Sequence, residues 1–297
     1  MVRVMGVFAV CALFFMGFGV LASPAIIPAP PKLAAEGYLL IDATTAASLV
    51  EFNADQRLPP ASLTKIMTSY VAAKEIERGT ITLDDQVAVS IKAWRMEGSR
   101  MFIQEGTKVR LEDMLRGIIV QSGNDASVAL AEHVSGSEDA FADLMNQYAQ
   151  QLGMRDTHFV NATGLPDENH YTTASDLSRL TVALINQFPE HYKMYSEKHF
   201  TYSDIKQPNR NKLLMRDSSV DGVKTGHTNA AGYCLIASAV RDDMRLLSVV
   251  MGASSEEGRA AESQKLLTYG FRYFETARLY RADKALRQVR VWGGQHS

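Results

Sequence analysis

Strand-forming patterns stand near both ends of this sequence and helix-forming patterns fill its middle. That distribution restricts the fold more than any other feature. Gly37–Asp42 and Ser48–Phe52 are short apolar runs flanking Ala43-Thr44-Thr45-Ala46, which predicts a β-hairpin. Residues 232–240 and 244–251 are apolar and partly β-branched, and Arg241-Asp242-Asp243 separates them, which predicts a second hairpin. Between the hairpins the period changes. A helix is expected to begin near Ser62 and run to about Arg78, where Gly79 stops it, with Leu63, Ile66, Met67, Tyr70 and Val71 at helical spacing. Residues 111–120, 125–134, 140–152 and 173–188 repeat the helical period, residues 161–171 read as a loop around Gly164 and Pro166, and residues 256–274 form a last amphipathic helix. Hairpins at both ends with helices between them predict an α+β domain. An antiparallel sheet is expected beside a helical lobe, with a cleft along their seam.

The two ends lie outside this unit. Arg3 followed by the uncharged apolar residues 4–21 and by Val20-Leu21-Ala22 reads as an export signal cut after Ala22. An uncleaved anchor is the alternative, because a run of that length can span a bilayer. Residues 23–33, rich in Pro and Ala, are expected to form a flexible lead-in. Once the signal is removed, Cys234 is the only cysteine, so no internal disulfide and no cysteine-based zinc site can form. Its apolar neighbours predict a buried strand position. A net charge of −2 without a basic stripe argues against nucleic acid as a partner.

Three short motifs carry chemistry. Ser62-Leu63-Thr64-Lys65 puts an amine one helical turn from a hydroxyl. An ordinary lysine, with a pKa of about 10.4, is protonated and cannot activate that hydroxyl. A buried lysine can, because desolvation lowers its pKa, and Leu63, Ile66 and Met67 surround this one. Ser122-Gly123-Asn124 falls between two predicted helices and offers a second hydroxyl beside an amide. Lys224-Thr225-Gly226 precedes the 232–240 strand, pairing a cation and a hydroxyl suited to a carboxylate with a glycine that lets a substrate backbone approach. Each motif alone is weak: the first is commonly a capped helix start, and the other two are ordinary turns. Together they occur in order, 60 and then 102 residues apart, each at an element boundary. With Ser-Asp-Asn as its middle member, this set is the signature of class A β-lactamases and penicillin-binding proteins.

From about Ala34 to Thr276 the chain resembles the low-molecular-mass penicillin-binding proteins of the D-alanyl-D-alanine carboxypeptidase type. The likeness extends to Leu58-Pro59-Pro60-Ala61-Ser62, Gln207-Pro208-Asn209-Arg210-Asn211, the stretch Val220–Thr228 and Ala261-Glu262-Ser263-Gln264-Lys265-Leu266-Leu267. The resemblance implies a β-lactamase/transpeptidase-like fold, α+β, with a five-stranded antiparallel sheet and a helical lobe. It implies Ser62 as acyl-ester nucleophile, Lys65 as general base, Ser122 as proton relay, and Asn124 as a holder of substrate and of Lys65. Lys224 and Thr225 would take the terminal carboxylate, with Gly226 beside them and Arg210 and Arg259 shaping that end. The backbone N–H groups of Ser62 and His227 would form the oxyanion hole. Peptidoglycan stem peptides would be the substrates, β-lactams covalent inhibitors, and the bacterial periplasm the location; no cofactor or metal is implied.

The members of that family usually continue into a small all-β domain and a membrane-docking amphipathic helix. Only about 20 residues follow Thr276, with at most one strand at 286–292, so residues 277–297 are expected to be a short remnant without a C-terminal membrane helix. Rival readings are a D,D-endopeptidase of the same fold, a class A-like β-lactamase and a non-catalytic peptidoglycan-binding protein. Asp167 and Glu168 lie in the 161–171 loop, but the Glu-x-x-Leu-Asn pattern of class A β-lactamases is missing. His133, His158 and His170 are expected to be structural, Asp176 to brace a helix, and Trp94 and Met96 to pack in the core or line the cleft mouth.

Overall fold

The computed structural model describes residues 27–280 together with 284, 285 and 287. The expected signal, most of the 286–292 strand and the start of the lead-in lie outside the described residues. In chain order the elements are β1 (Gly37–Asp42), β2 (Ser48–Phe52), a 3-10 turn (Ala61–Thr64) leading into α1 (Lys65–Glu77), β3 (Gln86–Ala88), α2 (Ile91–Trp94) and β4 (Lys108–Arg110). Then come α3 (Leu111–Arg116), a π-helical turn (Gly117–Gln121), α4 (Asn124–Ser135), α5 (Glu138–Gln151), α6 (Ala174–Gln187), α7 (Pro189–Tyr192), β5 (His199–Tyr202) and β6 (Ile205–Pro208). α8 (Leu213–Arg216), β7 (Val220–Thr228), β8 (Gly232–Arg241), β9 (Met244–Ala253) and α9 (Glu256–Tyr273) complete the order.

The two expected hairpins form, and they join. β1 pairs antiparallel with β9, Leu40 opposite Ser248, giving a five-stranded sheet of order β2-β1-β9-β8-β7. Side chains alternate across a strand. Leu39, Ile41, Ile236, Leu247 and Val249 therefore enter one core with α1, α4 and α6, while Tyr38, Leu40, Leu235, Leu246 and Val250 enter another with α9. Both sheet faces are covered, which is why β8 and β9 read as nearly unbroken apolar runs rather than as polar-apolar alternation. Burying two such faces is the main source of stability, at roughly 25 cal/mol per Å² of apolar surface removed from water. α1 is buried on nearly every side because it is the central helix of the lobe: Lys65, Thr68 and Ser69 are buried along with Ile66, Met67, Tyr70 and Val71.

Local chemistry explains the helix ends. Thr173, Ser137 and Ser255 each accept a hydrogen bond from a backbone N–H in the first turn of α6, α5 and α9. Gly79, with φ of +73°, follows α1 where a left-handed residue is wanted.

The structure corrects the sequence reading in three places. Lys224-Thr225-Gly226 does not precede a strand; it lies inside β7, the edge strand paired with β8. Two glycines and a register shift between Val220 and Gly222 interrupt the alternation that would have exposed this strand. The helix expected over 111–120 ends at Arg116 and passes into the π-helical turn. The α-helix expected near Ser62 begins at Lys65, with Ser62 in the preceding 3-10 turn. The small hairpins β3–β4 and β5–β6 had no clear sequence signal. Cys234 is buried in β8, as expected. Met96 packs against the main core while Trp94 is partly exposed. No helix among the described residues is long and apolar enough to cross a membrane.

Candidate active site

Three segments distant in sequence converge where the sheet edge meets the helical lobe. The 3-10 turn and the start of α1 bring Ser62 and Lys65. The π-helical turn and the start of α4 bring Ser122 and Asn124. β7 brings Lys224, Thr225, Gly226 and His227. A cavity of about 270 Å³ opens between them, with Ser62, Ser122, Thr225, Gly226, Arg210 and Arg259 on its walls. Ser99, His227, Tyr233 and Glu256 complete its lining.

Backbone conformation sets the two hydroxyls. Ala61, directly before Ser62, has φ of +47°, and Ser122 itself has φ of +68°. The left-handed region is disfavoured for a residue with a Cβ, and such strain persists only where surrounding structure enforces it. At Ser122 the enforcement is the exit from the π-helical turn, where Gly123 N–H donates to Gly117 O at 3.0 Å. β7 packs closely against the nucleophile's turn: a Cβ on Gly226 would sit 3.0 Å from Pro60 O and 3.3 Å from Ser62 N. Glycine is needed there for that approach.

Lys65 is buried and held on three sides. Its Nζ lies 3.1 Å from Ser62 Oγ, 2.7 Å from Asn124 Oδ1 and 2.6 Å from Thr163 O. Asn124 is fixed in turn, donating through Nδ2 to Glu97 O at 2.6 Å. Burial pushes the Lys65 ammonium down to about 7, and the charge of Arg210 adds to the shift against the opposing carboxylates of Asp125 and Glu138. Burial also lowers Lys224 well below the ordinary lysine value, with Lys65, Arg210 and Arg259 repelling it further. Burial depresses Arg210 and Arg259 as well, and Glu256 opposes that effect at both. Four basic side chains thus crowd one cleft that disfavours their charged forms, an arrangement that an anionic ligand would relieve.

The remaining expected residues are all placed here. Ser122 Oγ is buried and has no hydrogen-bond partner among the described residues. Among the described residues, Lys224 Nζ reaches only Thr225 O, at 3.3 Å. Arg259 Nη1 donates to Gly226 O at 3.0 Å, and Arg210 Nε donates to Gln121 O at 3.0 Å, so both arginines tie flanking segments to the site. The His227 side chain is exposed and stacks on Tyr233.

The other singled-out residues are structural. His133 contacts Asp85, and His158 contacts Asn169 O. His170 meets Thr64 Oγ1 at 2.8 Å, and burial lowers its imidazole to about 4, which keeps it neutral. Asp176 accepts from Asp156 N and Thr157 Oγ1 and so braces α6.

Sequence reasoning missed four positions. Asp125, fully buried, accepts from the backbone N–H groups of Met101, Phe102 and Ile103 at 2.8, 2.8 and 3.2 Å. It thereby holds the 97–103 segment that supplies Glu97 O and Ser99; from sequence it looks like any acidic residue in a first helical turn. Thr163 acts through its carbonyl, which no side-chain pattern reveals. Gly164, with φ of +81°, lies so close to Ala61 that a Cβ would overlap its carbonyl oxygen. Glu256 reaches the cleft from the first turn of α9.

The D-alanyl-D-alanine carboxypeptidase family matches residues 25–255. The chain belongs to that family. The carboxypeptidase is 47% identical over 270 residues to D-alanyl-D-alanine carboxypeptidase DacA of Haemophilus influenzae, covering 89% of this chain and 69% of the relative. It is 46% identical over 276 residues to DacA of Escherichia coli K12, covering 91% and 68%. A D-alanyl-D-alanine endopeptidase of E. coli K12 is more distant, at 31% over 249 residues, covering 80% and 78%. Among solved structures, penicillin-binding protein 5 of H. influenzae superposes with a TM-score of 0.81 at 48% identity, covering 82% of this chain and 73% of that one. Penicillin-binding protein D2 of Listeria monocytogenes, solved in its ampicillin-bound form, superposes at 0.76 with 30% identity, covering 82% and 100%. The expected fold and the expected class, a serine peptidase of the D-alanyl-D-alanine carboxypeptidase type, are both met.

Proposed function

We infer that this carboxypeptidase removes the terminal D-alanine from peptidoglycan stem peptides through an acyl-enzyme on Ser62. The observation that carries the mechanism is the set of partners around Lys65 Nζ. A neutral amine has two N–H donors and one lone pair. Asn124 Oδ1 and Thr163 O can only accept, so they take the two N–H groups, and the lone pair is left for the Ser62 hydroxyl. Lys65 then receives the Ser62 proton as Oγ attacks the carbonyl of the penultimate D-alanine. The backbone N–H groups of Ser62 and His227 receive the oxyanion, a contribution of about 3–4 kcal/mol per donor in comparable sites. Ser122, buried in the wall of the same cleft as Ser62, gives its hydroxyl proton to the departing D-alanine nitrogen as the C–N bond breaks and is reprotonated from Lys65, which returns to the neutral amine. Thr225, Lys224, Arg210 and Arg259 hold the terminal carboxylate. Water then attacks the ester, the neutral Lys65 takes a proton from it, and that proton passes to Ser62 Oγ as the acyl–oxygen bond breaks and the shortened peptide leaves.

β-Lactams would acylate Ser62 by the same route; the ampicillin-bound relative supports that reading. The apolar N-terminal stretch fits an exported, periplasmic enzyme acting in cell-wall biogenesis, with residues 34–276 as its catalytic domain.

Fluorescent penicillin should label the wild type covalently and leave Ser62→Ala unlabelled. Absence of label on folded wild type would refute the acyl-enzyme. Incubation with a pentapeptide stem and a cross-linked dimer then separates the carboxypeptidase from an endopeptidase. D-alanine should be released from the first while the second stays intact; cleavage of the dimer alone would reverse the assignment. Rapid turnover of nitrocefin would instead indicate a β-lactamase.

A further inference from the structure

Among the described residues lining the cleft, Glu256 is the only acidic one. It opens α9 directly after the N-cap Ser255. Its Oε1 lies 3.6 Å from Arg259 Nη2 and 3.5 Å from Lys212 Nζ. The Arg259 side chain is nearly buried, and its Nη1 is already committed to Gly226 O on β7. The guanidinium is therefore bridged between the substrate-binding strand and one carboxylate. Glu256 also acts electrostatically on Arg210, across the same cavity. Its neighbour Glu257 shares the first turn of α9 but faces elsewhere, pairing with Arg216 at 2.9 Å and not lining the cleft.

We propose that Glu256 is a specificity-determining residue whose carboxylate competes with the ligand's own carboxylate for Arg259 and Arg210, and so sets how tightly the cleft holds an anionic substrate. This rests on the reading that the arginine end of the cleft takes the terminal carboxylate. Opposite charges at such a distance attract, and a ligand carboxylate entering beside a resident one is repelled by it. The Glu256 side chain is 47% exposed, so solvent screens the interaction and the effect is modest and salt-dependent. It acts on binding, away from the reacting bond, and therefore on KM rather than on kcat.

The test compares wild type, Glu256→Gln and Glu257→Gln on a peptide ending in D-alanyl-D-alanine, at low and high salt. The same peptide with a C-terminal amide serves as a competitor. Glu256→Gln should lower KM about two- to fivefold at low salt with kcat nearly unchanged, and the gain should vanish near 1 M salt. Glu257→Gln should leave KM unchanged, and the inhibition constant of the amide should be the same in all three proteins. An unchanged or raised KM in Glu256→Gln, an equal drop in Glu257→Gln, or an equal gain for the amide overturns the proposal and leaves the carboxylate site standing. If wild type binds the amide as tightly as the free acid, the carboxylate site itself is refuted, and the proposal with it.

Discussion

Lys65 Nζ lies 3.1 Å from Ser62 Oγ, and the two other partners of that amine are carbonyl oxygens that can only accept. Burial and the Arg210 charge bring Lys65 down to about 7. The base is the unprotonated amine, so acylation should be lost as pH falls through about 7 and reach a plateau above it. Penicillin acylation rates measured between pH 5 and 9 should show that ascending limb. Lys65→Arg, whose guanidinium stays protonated, should lose about 10²- to 10⁴-fold across the whole range. A wild-type rate independent of pH between 6 and 8 would remove Lys65 as the base.

Ser122 behaves oppositely in fold and in function. Its buried hydroxyl has no hydrogen-bond partner among the described residues, so removing it leaves no partner stranded. Ser122→Ala should melt within a few degrees of wild type while D-alanine release falls about 10²-fold or more. Calorimetry and a D-alanine assay on one preparation decide the matter. A large drop in melting temperature would mean that the hydroxyl is structural.

Asp125 holds the 97–103 segment through three backbone N–H groups. Asp125→Asn replaces one acceptor oxygen with an N–H₂ group facing those donors. The expected cost is about 2–4 kcal/mol, read from urea denaturation. Hydrogen exchange should accelerate selectively at Met101, Phe102 and Ile103. Unchanged protection there would show that the clamp is not what orders the segment.

Gly164 faces the Ala61 carbonyl with no room for a side chain, at φ of +81°. Gly164→Ala should cost about 2–5 kcal/mol from left-handed strain and the backbone clash together. It should also lower activity in the folded fraction, because Thr163 O, one residue away, holds Lys65. Far-UV circular dichroism melts and penicillin labelling check both effects. Wild-type values in both would mean that the loop relaxes freely.

Much of this protein was readable before folding. The apolar runs at 37–52 and 232–251 fixed two hairpins, and the helical period between them fixed the lobe, because covering an apolar face leaves a residue-level pattern. The order of Ser62-x-x-Lys65, Ser122-Gly123-Asn124 and Lys224-Thr225-Gly226 identified the family, and all ten expected site residues converge on one cleft. The sequence also predicted burial of Lys65, from its neighbours. Tertiary structure alone decided the rest. β7 stayed hidden because a strand broken by glycines and a register shift is defined by its partner β8 and not by its own alternation. Thr163 contributes a carbonyl, which every residue has. Gly164 and Asp125 matter through what lies across from them, Ala61 in one case and residues 101–103 in the other. Glu256 enters the cleft only because α9 starts there, some 190 residues along the chain from the serine whose cavity it lines. Residue types and spacing carried the identity of the chemistry. Close approach of distant segments set the basicity of the lysine and the charge balance of the cleft, since both depend on desolvation and on distances between groups that no local pattern records.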